Sequence, residues 1–545
     1  MTAVTVRWGG GTIEVPQGTL LSDALRMGGV HLDMPCGGRG RCGKCAVLVE
    51  YGSGSESSGA KASGERPAPE RRLACQFRVD RDVTVFVPAI PPAVPLEAGV
   101  PDSMNAIETM RANRPAAYFG SVDPWITLPA SGPAAGLAID LGTTSIALSL
   151  VDLRTGEELA SSARPNPQAA FGADIMSRLL YATSRSRNNG TLQRLALESI
   201  TDAFSELLKA SGLRREDVLG AVLVANTAMH HLALGLSVKD LSVHPYTAAT
   251  LKPREADIPG LPRLYAPPVV WSFVGSDLVA AAIATGIAGC IAGAVAVEDP
   301  VTRLLIDVGT NSEVLLSHQG RLYACSAPAG PAFEGGEISQ GMLALPGAVF
   351  EVSDNFELSV VGGGQPKGIC GSGIVDTIAA LLRAGVLDEN GLMRAEQPFA
   401  DRIIHETDGS LKFMLAPGLF LTQKDIRAVQ LAKGALRCAV DALLDEAGAV
   451  ASQIDAVYLA GAFGTSLRVE NALEIGLVPP IAPARVKQVG NGAIQGAKAI
   501  LLSACAKAEA ERLAKAIRHV DLASLEDFQD RFLASLSFGP GLGRA

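Results

Sequence analysis

Positions 3–8 and 11–15 alternate apolar and polar residues about Gly9, Gly10 and Gly11, the pattern of a hairpin with one buried face. Leu20 to Met27 then takes the spacing of a short helix. Apolar runs at Ala46-Val47-Leu48-Val49 and Val83-Thr84-Val85-Phe86-Val87 predict two more strands, so residues 1–89 read as a small β-grasp-like unit. Gly52 to Pro69, between those strands, is rich in Gly, Ser and charge and predicts a floppy insert. Prolines at 88, 91, 92, 95, 101, 115, 124, 129 and 133 mark residues 90–134 as a Pro-rich linker, with a short helix expected near Ser103 to Arg111.

From residue 135 short apolar strands alternate with long helical patterns, which predicts an α/β body over 135–545. Asp425 to Gly448 is a clear helix, with Ile426, Val429, Leu436, Val440, Leu443 and Leu444 on one period. Leu278 to Val297 runs twenty residues without a charge, long enough to span a bilayer. Eleven of the twenty are Ala or Gly, and Asp277 and Glu298 flank them, so a buried, closely packed helix is expected instead.

A formal charge of −9 leaves no basic excess to neutralise phosphates, which argues against a nucleic-acid partner and for small molecules and proteins. Nine cysteines in 545 residues are sparse and odd in number, and the N-terminus does not resemble a signal peptide. A reducing cytoplasm is expected.

Four of those cysteines are grouped. Cys36, Cys42 and Cys45 fall in the run Cys-Gly-Gly-Arg-Gly-Arg-Cys-Gly-Lys-Cys, and Cys75 follows in Arg-Leu-Ala-Cys-Gln. The spacing is one residue longer than the plant-type [2Fe–2S] pattern and keeps all four ligands. Gly37, Gly38, Gly40 and Gly43 would let the backbone curl close and aim N–H groups at sulfur. Zinc remains an alternative, although only Cys42 and Cys45 form a short knuckle of the kind structural zinc sites pair. Arg39, Arg41, Lys44, Arg71, Arg72 and Arg78 surround the ligands in sequence, either as a basic rim for an acidic redox partner or as ordinary solvated charges.

A second chemistry lies in Leu137-Ala138-Ile139-Asp140-Leu141-Gly142-Thr143-Thr144-Ser145, echoed 167 residues later by Leu304-Leu305-Ile306-Asp307-Val308-Gly309-Thr310-Asn311-Ser312. Each is an apolar strand ending in Asp-x-Gly-Thr. The carboxylates of Asp140 and Asp307 suit Mg²⁺ or its water, Gly142 and Gly309 allow close approach, and Thr143, Thr144, Thr310 and Asn311 can donate to phosphate. Val457 to Gly464 is a strand opening into a glycine turn, with Gly461 and Gly464 suited to an adenosine. Gly490 to Ala497 starts a small-residue helix that could cross the 278–297 segment closely as a hinge. Glu334 or Glu337 could orient a water, or either could be a solvated loop charge. His230 and His231 share no helix face and are expected in the core, as are Cys290, Cys438 and Cys505.

The paired loops resemble the superfamily of acetate and sugar kinases, heat-shock cognate proteins and actin. That resemblance implies a two-lobed ribonuclease-H-like ATPase with ATP in the cleft. Joined to a [2Fe–2S] ferredoxin-like domain, and with Asn166-Pro167-Gln168, Phe171 to Arg178, Gly330 to Gly336 and Gly368 to Gly373, the chain resembles the reductive activators of corrinoid-dependent methyltransferases. The implied activity returns Co(II) to Co(I) with one electron and ATP. The implied partners are a corrinoid protein or cobalamin-dependent methyltransferase and an upstream electron donor, with no nucleic acid, no membrane, and a homodimer compatible. Two alternatives stay open: a [4Fe–4S]-type activator of a 2-hydroxyacyl-CoA dehydratase using Cys325 and Cys370, and a metabolite kinase with an appended ferredoxin.

Overall fold

The computed structural model describes residues 3–9, 11–30, 32, 34, 38, 40, 45–51, 70–87, 126–172, 174–185, 188–287, 301–395, 399–461 and 467–539. The chain forms two compact units, Met1–Pro92 with Pro167–Tyr181, and Ala93–Asn166 with Ala182–Ala545.

The first unit carries a five-stranded sheet in the order Gly11–Pro16, Ala3–Trp8, Val83–Phe86, Ala46–Tyr51, Glu70–Leu73. The first two strands form the expected hairpin, and Ala3–Trp8 pairs in parallel with Val83–Phe86. Alternation puts Val4, Val6, Val47, Val49, Val83 and Val85 into one core, which the helix Leu21–Met27 closes with Leu21, Ala24 and Leu25. Gly28 caps that helix, and a Cβ there would meet the Trp8 ring at 2.3 Å. The edge strand Glu70–Leu73 has no apolar alternation to announce it, since its Glu-Arg-Arg run is the charged dressing that blunts a sheet edge. The insert at 52–69 and the expected helix at 103–111 lie outside the described residues, as does the linker before residue 126.

The second unit is a duplication. One sheet runs Glu158–Pro165, Ser145–Asp152, Ala135–Leu141, Val218–Ala225, Leu264–Ala266, with Arg254–Ala256 at its end. The other runs Arg321–Ala327, Ser312–His318, Thr302–Asp307, Ile454–Ala460, Val486–Gly490, with Ile517–His519 outside Arg321–Ala327. In both, the first three strands in sequence are antiparallel neighbours; Val218–Ala225 and Ile454–Ala460 pair in parallel with the first of the three, and Leu264–Ala266 and Val486–Gly490 pair in parallel beside those. This matching path is the twofold α/β architecture expected for the 135–545 region, and it sets the two Asp-x-Gly-Thr turns at equivalent strand ends.

The helix expected at 425–448 spans Gln423–Ala447. Thr422 accepts from the Asp425 amide while the Asp425 carboxylate accepts from the Thr422 amide, and Gly448 closes the helix at φ 68°. Small residues do bring two helices together: a Cβ on Gly496, in Gly492–Leu502, would lie 1.9 Å from the Ala280 carbonyl oxygen in Ser276–Thr285. The latter helix ends at Gly286 with φ 62°, and residues 288–300 lie outside the described set. No described helix is long and apolar enough to cross a membrane. Cys438 is buried as expected, but Cys505 is exposed, because it falls in the first turn of Ala504–Ala516 on the face away from the core. Cys290 is among the residues not described.

Candidate functional site

The first phosphate loop is a tight turn between Ala135–Leu141 and Ser145–Asp152. A side chain at Gly142 would press to 2.8 Å of the Ser145 carbonyl oxygen. Two asparagines hold the loop: Asn166 donates to the Gly142 carbonyl at 2.8 Å, and Asn226 donates to Thr143 Oγ1 at 3.0 Å while capping the Met229 amide. In the second loop the Gly309 amide donates to Ser312 Oγ at 3.3 Å.

The two loops meet. Thr144 Oγ1 and Thr310 Oγ1 are 2.7 Å apart, Thr144 donates to Glu334 Oε2 at 2.6 Å, and Thr310 donates to the same oxygen. Glu334 ends a short 3₁₀ turn anchored by buried Phe333, and Gly335 follows at φ 75°, where a Cβ would strike the Met342 amide at 2.5 Å. Glu337, the other carboxylate considered, is exposed at φ 59°. Asn311 Nδ2 is buried with no partner among the described residues, an orphaned donor of the kind a phosphate oxygen would satisfy.

Four buried carboxyls lie within Coulomb range of one another beside the two loops. Desolvation raises Asp140 from 3.8 to about 6, although Asn491 Nδ2 donates to it at 2.7 Å. Asp307 is pushed up to about 7 by burial and then by the Asp140 and Glu334 charges. Asp277, in the first turn of Ser276–Thr285, is pushed up to about 8 by burial and by Asp307 and Asp140. Glu313, directly after the second loop, is driven well above its ordinary range by burial and by the same three acids. Among the described residues no three such groups converge closely enough to cage an ion by themselves. Asp277, Glu313, Asn226 and Asn491 were not singled out from sequence. The legible hint was positional, since each asparagine follows an apolar strand and opens a helix.

Gly461 sits at φ 97°, and a Cβ there would be 2.4 Å from the Val308 carbonyl oxygen and 3.0 Å from Asp307 Oδ1. The glycine lets the end of Ile454–Ala460 close on the second phosphate loop. Gly464 lies outside the described residues.

In the first unit Cys45 and Cys75 are buried with their sulfurs 3.2 Å apart. The Ala74 amide donates to the Cys45 carbonyl at 3.0 Å, which fixes the turn carrying Cys75 against the start of Ala46–Tyr51. Gln76 Nε2 donates to the Gly38 carbonyl at 2.6 Å and reaches Cys75 Sγ at 3.8 Å. Gly38 and Gly40 take φ 80° and 71°, and a Cβ on Gly40 would meet Gln76 Cγ at 2.9 Å. Converging thiols with an amide donor on one sulfur fit an iron–sulfur cluster. Cys36 and Cys42 lie outside the described residues.

Cys325 and Cys370 behave as core thiols. Burial raises the Cys325 thiol far above its ordinary value, and Cys370 lies 3.5 Å from Ser372 Oγ at a helix start. His230 and His231 are buried, and desolvation lowers His230 to about 3.

Three family models match in series. Residues 5–80 match the 2Fe-2S iron-sulfur cluster binding domain, residues 135–289 the RACo middle region, and residues 301–541 the C-terminal domain of RACo, the ASKHA domain. The chain belongs to the RACo family. Its curated relatives include the corrinoid activation enzyme RamQ of Eubacterium limosum, 28% identical over 97% of both chains. Another is the [Co(II) methylated amine-specific corrinoid protein] reductase of Methanosarcina barkeri, 27% identical over 74% of this chain and 77% of that one. Among solved structures, a reductive activator for corrinoid, iron-sulfur protein is 29% identical, covers 99% of this chain and 98% of its own, and superposes with a TM-score of 0.68. In this RACo chain the 2Fe-2S match contains Cys36, Cys42, Cys45 and Cys75, and the middle and ASKHA matches each contain one Asp-x-Gly-Thr loop.

Proposed function

We propose that this protein reactivates a corrinoid protein, returning its cobalt from Co(II) to Co(I) with one electron while ATP is hydrolysed in the interlobe cleft. The observation that carries the reading is the joining, in one RACo chain, of paired buried cysteines and a two-loop cleft containing an orphaned donor at Asn311. In this reading residues 1–89 form the cluster domain, 90–134 the linker and 135–545 the ATPase.

Cys36, Cys42, Cys45 and Cys75 hold a [2Fe–2S] cluster, which when bound supplies single electrons at low potential. Gln76 keeps an amide hydrogen near the Cys75 sulfur, and such donors favour the more negative reduced state. Plant-type clusters lie near −400 mV; if the cobalt couple is roughly 100–200 mV lower, the transfer is uphill by about 2–5 kcal/mol. ATP turnover offsets that cost.

In the cleft Asp140 and Asp307 position Mg²⁺ and its waters, and the cation supplies charge neutralisation on the phosphates. Thr143, Thr144, Thr310 and Asn311 donate to phosphate oxygens. As the two threonine hydroxyls turn to the nucleotide, Glu334 becomes available to orient the attacking water and accept its hydrogen bond. Gly461 and Gly464 are the residues assigned to the nucleoside. Asn166, Asn226 and Asn491 connect these loops to neighbouring elements, so a change at the phosphates reaches both lobes. The electron enters from an upstream donor, and the protein works in the cytoplasm, away from nucleic acid and membrane; a homodimer is compatible with this reading.

The test is to mix the anaerobically purified, chemically reduced protein with Co(II) corrinoid proteins and follow Co(I) absorbance. Co(I) should appear with MgATP; no Co(I) with any corrinoid protein overturns the reading.

A further inference from the structure

A cavity of about 630 Å³ opens on the ATPase body, and none of its lining residues belongs to the two Asp-x-Gly-Thr loops. One wall comes from residues 251–253 and 268–271, the other from residues 511–519, where Ile517–His519 extends the second sheet and the helix Ala504–Ala516 packs on Gly492–Leu502 and Ser276–Thr285. Trp271, 46% exposed, stacks on His519 across the boundary, ring centroids 5.5 Å apart and planes inclined by 19°. Leu251 and Ile517 add apolar surface. Exposed Lys252 and Lys515 stand one on each wall, and neither ammonium pairs with a carboxylate among the described residues. Glu511, the acid in the lining, accepts from the Tyr265 hydroxyl at 3.0 Å.

This wall is tied to the nucleotide site. Thr227 Oγ1 donates to the Trp271 carbonyl at 2.6 Å, and the preceding residue, Asn226, holds Thr143 of the first phosphate loop. Because Trp271 follows a strand of the first sheet and His519 belongs to the second, a movement of one sheet against the other would reshape the cavity.

We propose that this cavity docks the corrinoid protein, seating an apolar side chain against Trp271 with a carboxylate held between Lys252 and Lys515; the identity of the partner rests on the function proposed above. An accessible tryptophan in a concave apolar site is the usual anchor of a protein interface, and two unpaired cations select and steer an acidic segment. Occupancy and nucleotide state are then linked, each altering the affinity for the other by the same factor.

The experiment takes the full cluster-loaded chain and, as probe, the purified Co(II) corrinoid protein that the wild type re-reduces, and measures Kd with and without a non-hydrolysable ATP analogue. Wild-type Kd should shift at least threefold with the analogue. Trp271→Ala should weaken binding at least tenfold and Trp271→Phe less than threefold. The surface double variant Lys252→Glu, Lys515→Glu should lose at least tenfold at low salt and most of the salt dependence. Wild-type affinity in both Trp271→Ala and the double variant, with the wild type still re-reducing the probe, overturns the docking site alone. A wild type that re-reduces no corrinoid protein overturns the function and the docking site together.

Discussion

The hydroxyls of Thr144 and Thr310, 166 positions apart in the chain, lie 2.7 Å from each other and both donate to the carboxylate of Glu334. In the function proposed above these two loops grip one phosphate chain, and a phosphate would displace the acid that clasps them. Glu334→Gln keeps the size of that clasp and removes its charge. ATP hydrolysis by this variant should fall by about a hundredfold or more, the scale of a lost catalytic base, while nucleotide affinity changes only a few-fold. Unchanged kcat in steady-state ATPase assays would make Glu334 a structural tie only.

The buried acids beside the two loops make a prediction about protons. Asp140, Asp307 and Asp277 titrate at about 6, 7 and 8 when folded, against 3.8 ordinarily. Between about pH 4 and pH 8 the folded protein therefore holds protons that the unfolded chain has released, and stability falls as pH rises through that window. Mg²⁺ with nucleotide removes the repulsion, so binding should release protons near pH 6.5, and the stabilisation it gives should grow from pH 6 to pH 8. Calorimetry in buffers of different ionisation enthalpy measures the release; none at pH 6.5 would show that the carboxyls do not face the cation.

Gly496 has no space for a side chain. A Cβ would stand 1.9 Å from the Ala280 carbonyl oxygen, a backbone atom that cannot swing aside. Gly496→Val should lower stability by about 1–3 kcal/mol, read as a fall in Tm. Gly190→Ala, on the exposed side of Asn188–Ser211 with nothing within 4 Å, should be neutral or gain up to about 1 kcal/mol.

Cys75→Ser should abolish the brown colour and reduce iron and sulfide far below the two of each per chain expected for the wild type. ATP hydrolysis without partner should persist, since the cysteine lies in the other compact unit. Stoichiometric zinc and no sulfide in the wild type would contradict the cluster.

Much of this was legible because the chemistry sits at strand ends. Asp140 and Asp307 each follow an apolar run and precede a glycine, so strand, turn and ligand announce one another. Asp277 and Glu313 carry no such local mark. They matter because duplication of the sheet brings distant strand ends within Coulomb range, which no single segment encodes. The choice between Glu334 and Glu337 was open for the same reason, and only the backbone, αL at Glu337, turns one outward. Glu70–Leu73 escaped notice because an edge strand is dressed in charge. The grouping of Pro167–Tyr181 with the cluster-bearing unit, between two stretches of the other unit, had no counterpart in periodicity at all.

The central claim is that electron delivery depends on nucleotide turnover in the same polypeptide. The direct measurement is a single-turnover experiment in which reduced protein meets Co(II) corrinoid protein, and Co(I) absorbance and ADP are followed together. Co(I) should accumulate with MgATP in step with ADP, and fail to accumulate with Asp307→Asn or without nucleotide. Equal Co(I) yield in the absence of nucleotide would contradict it.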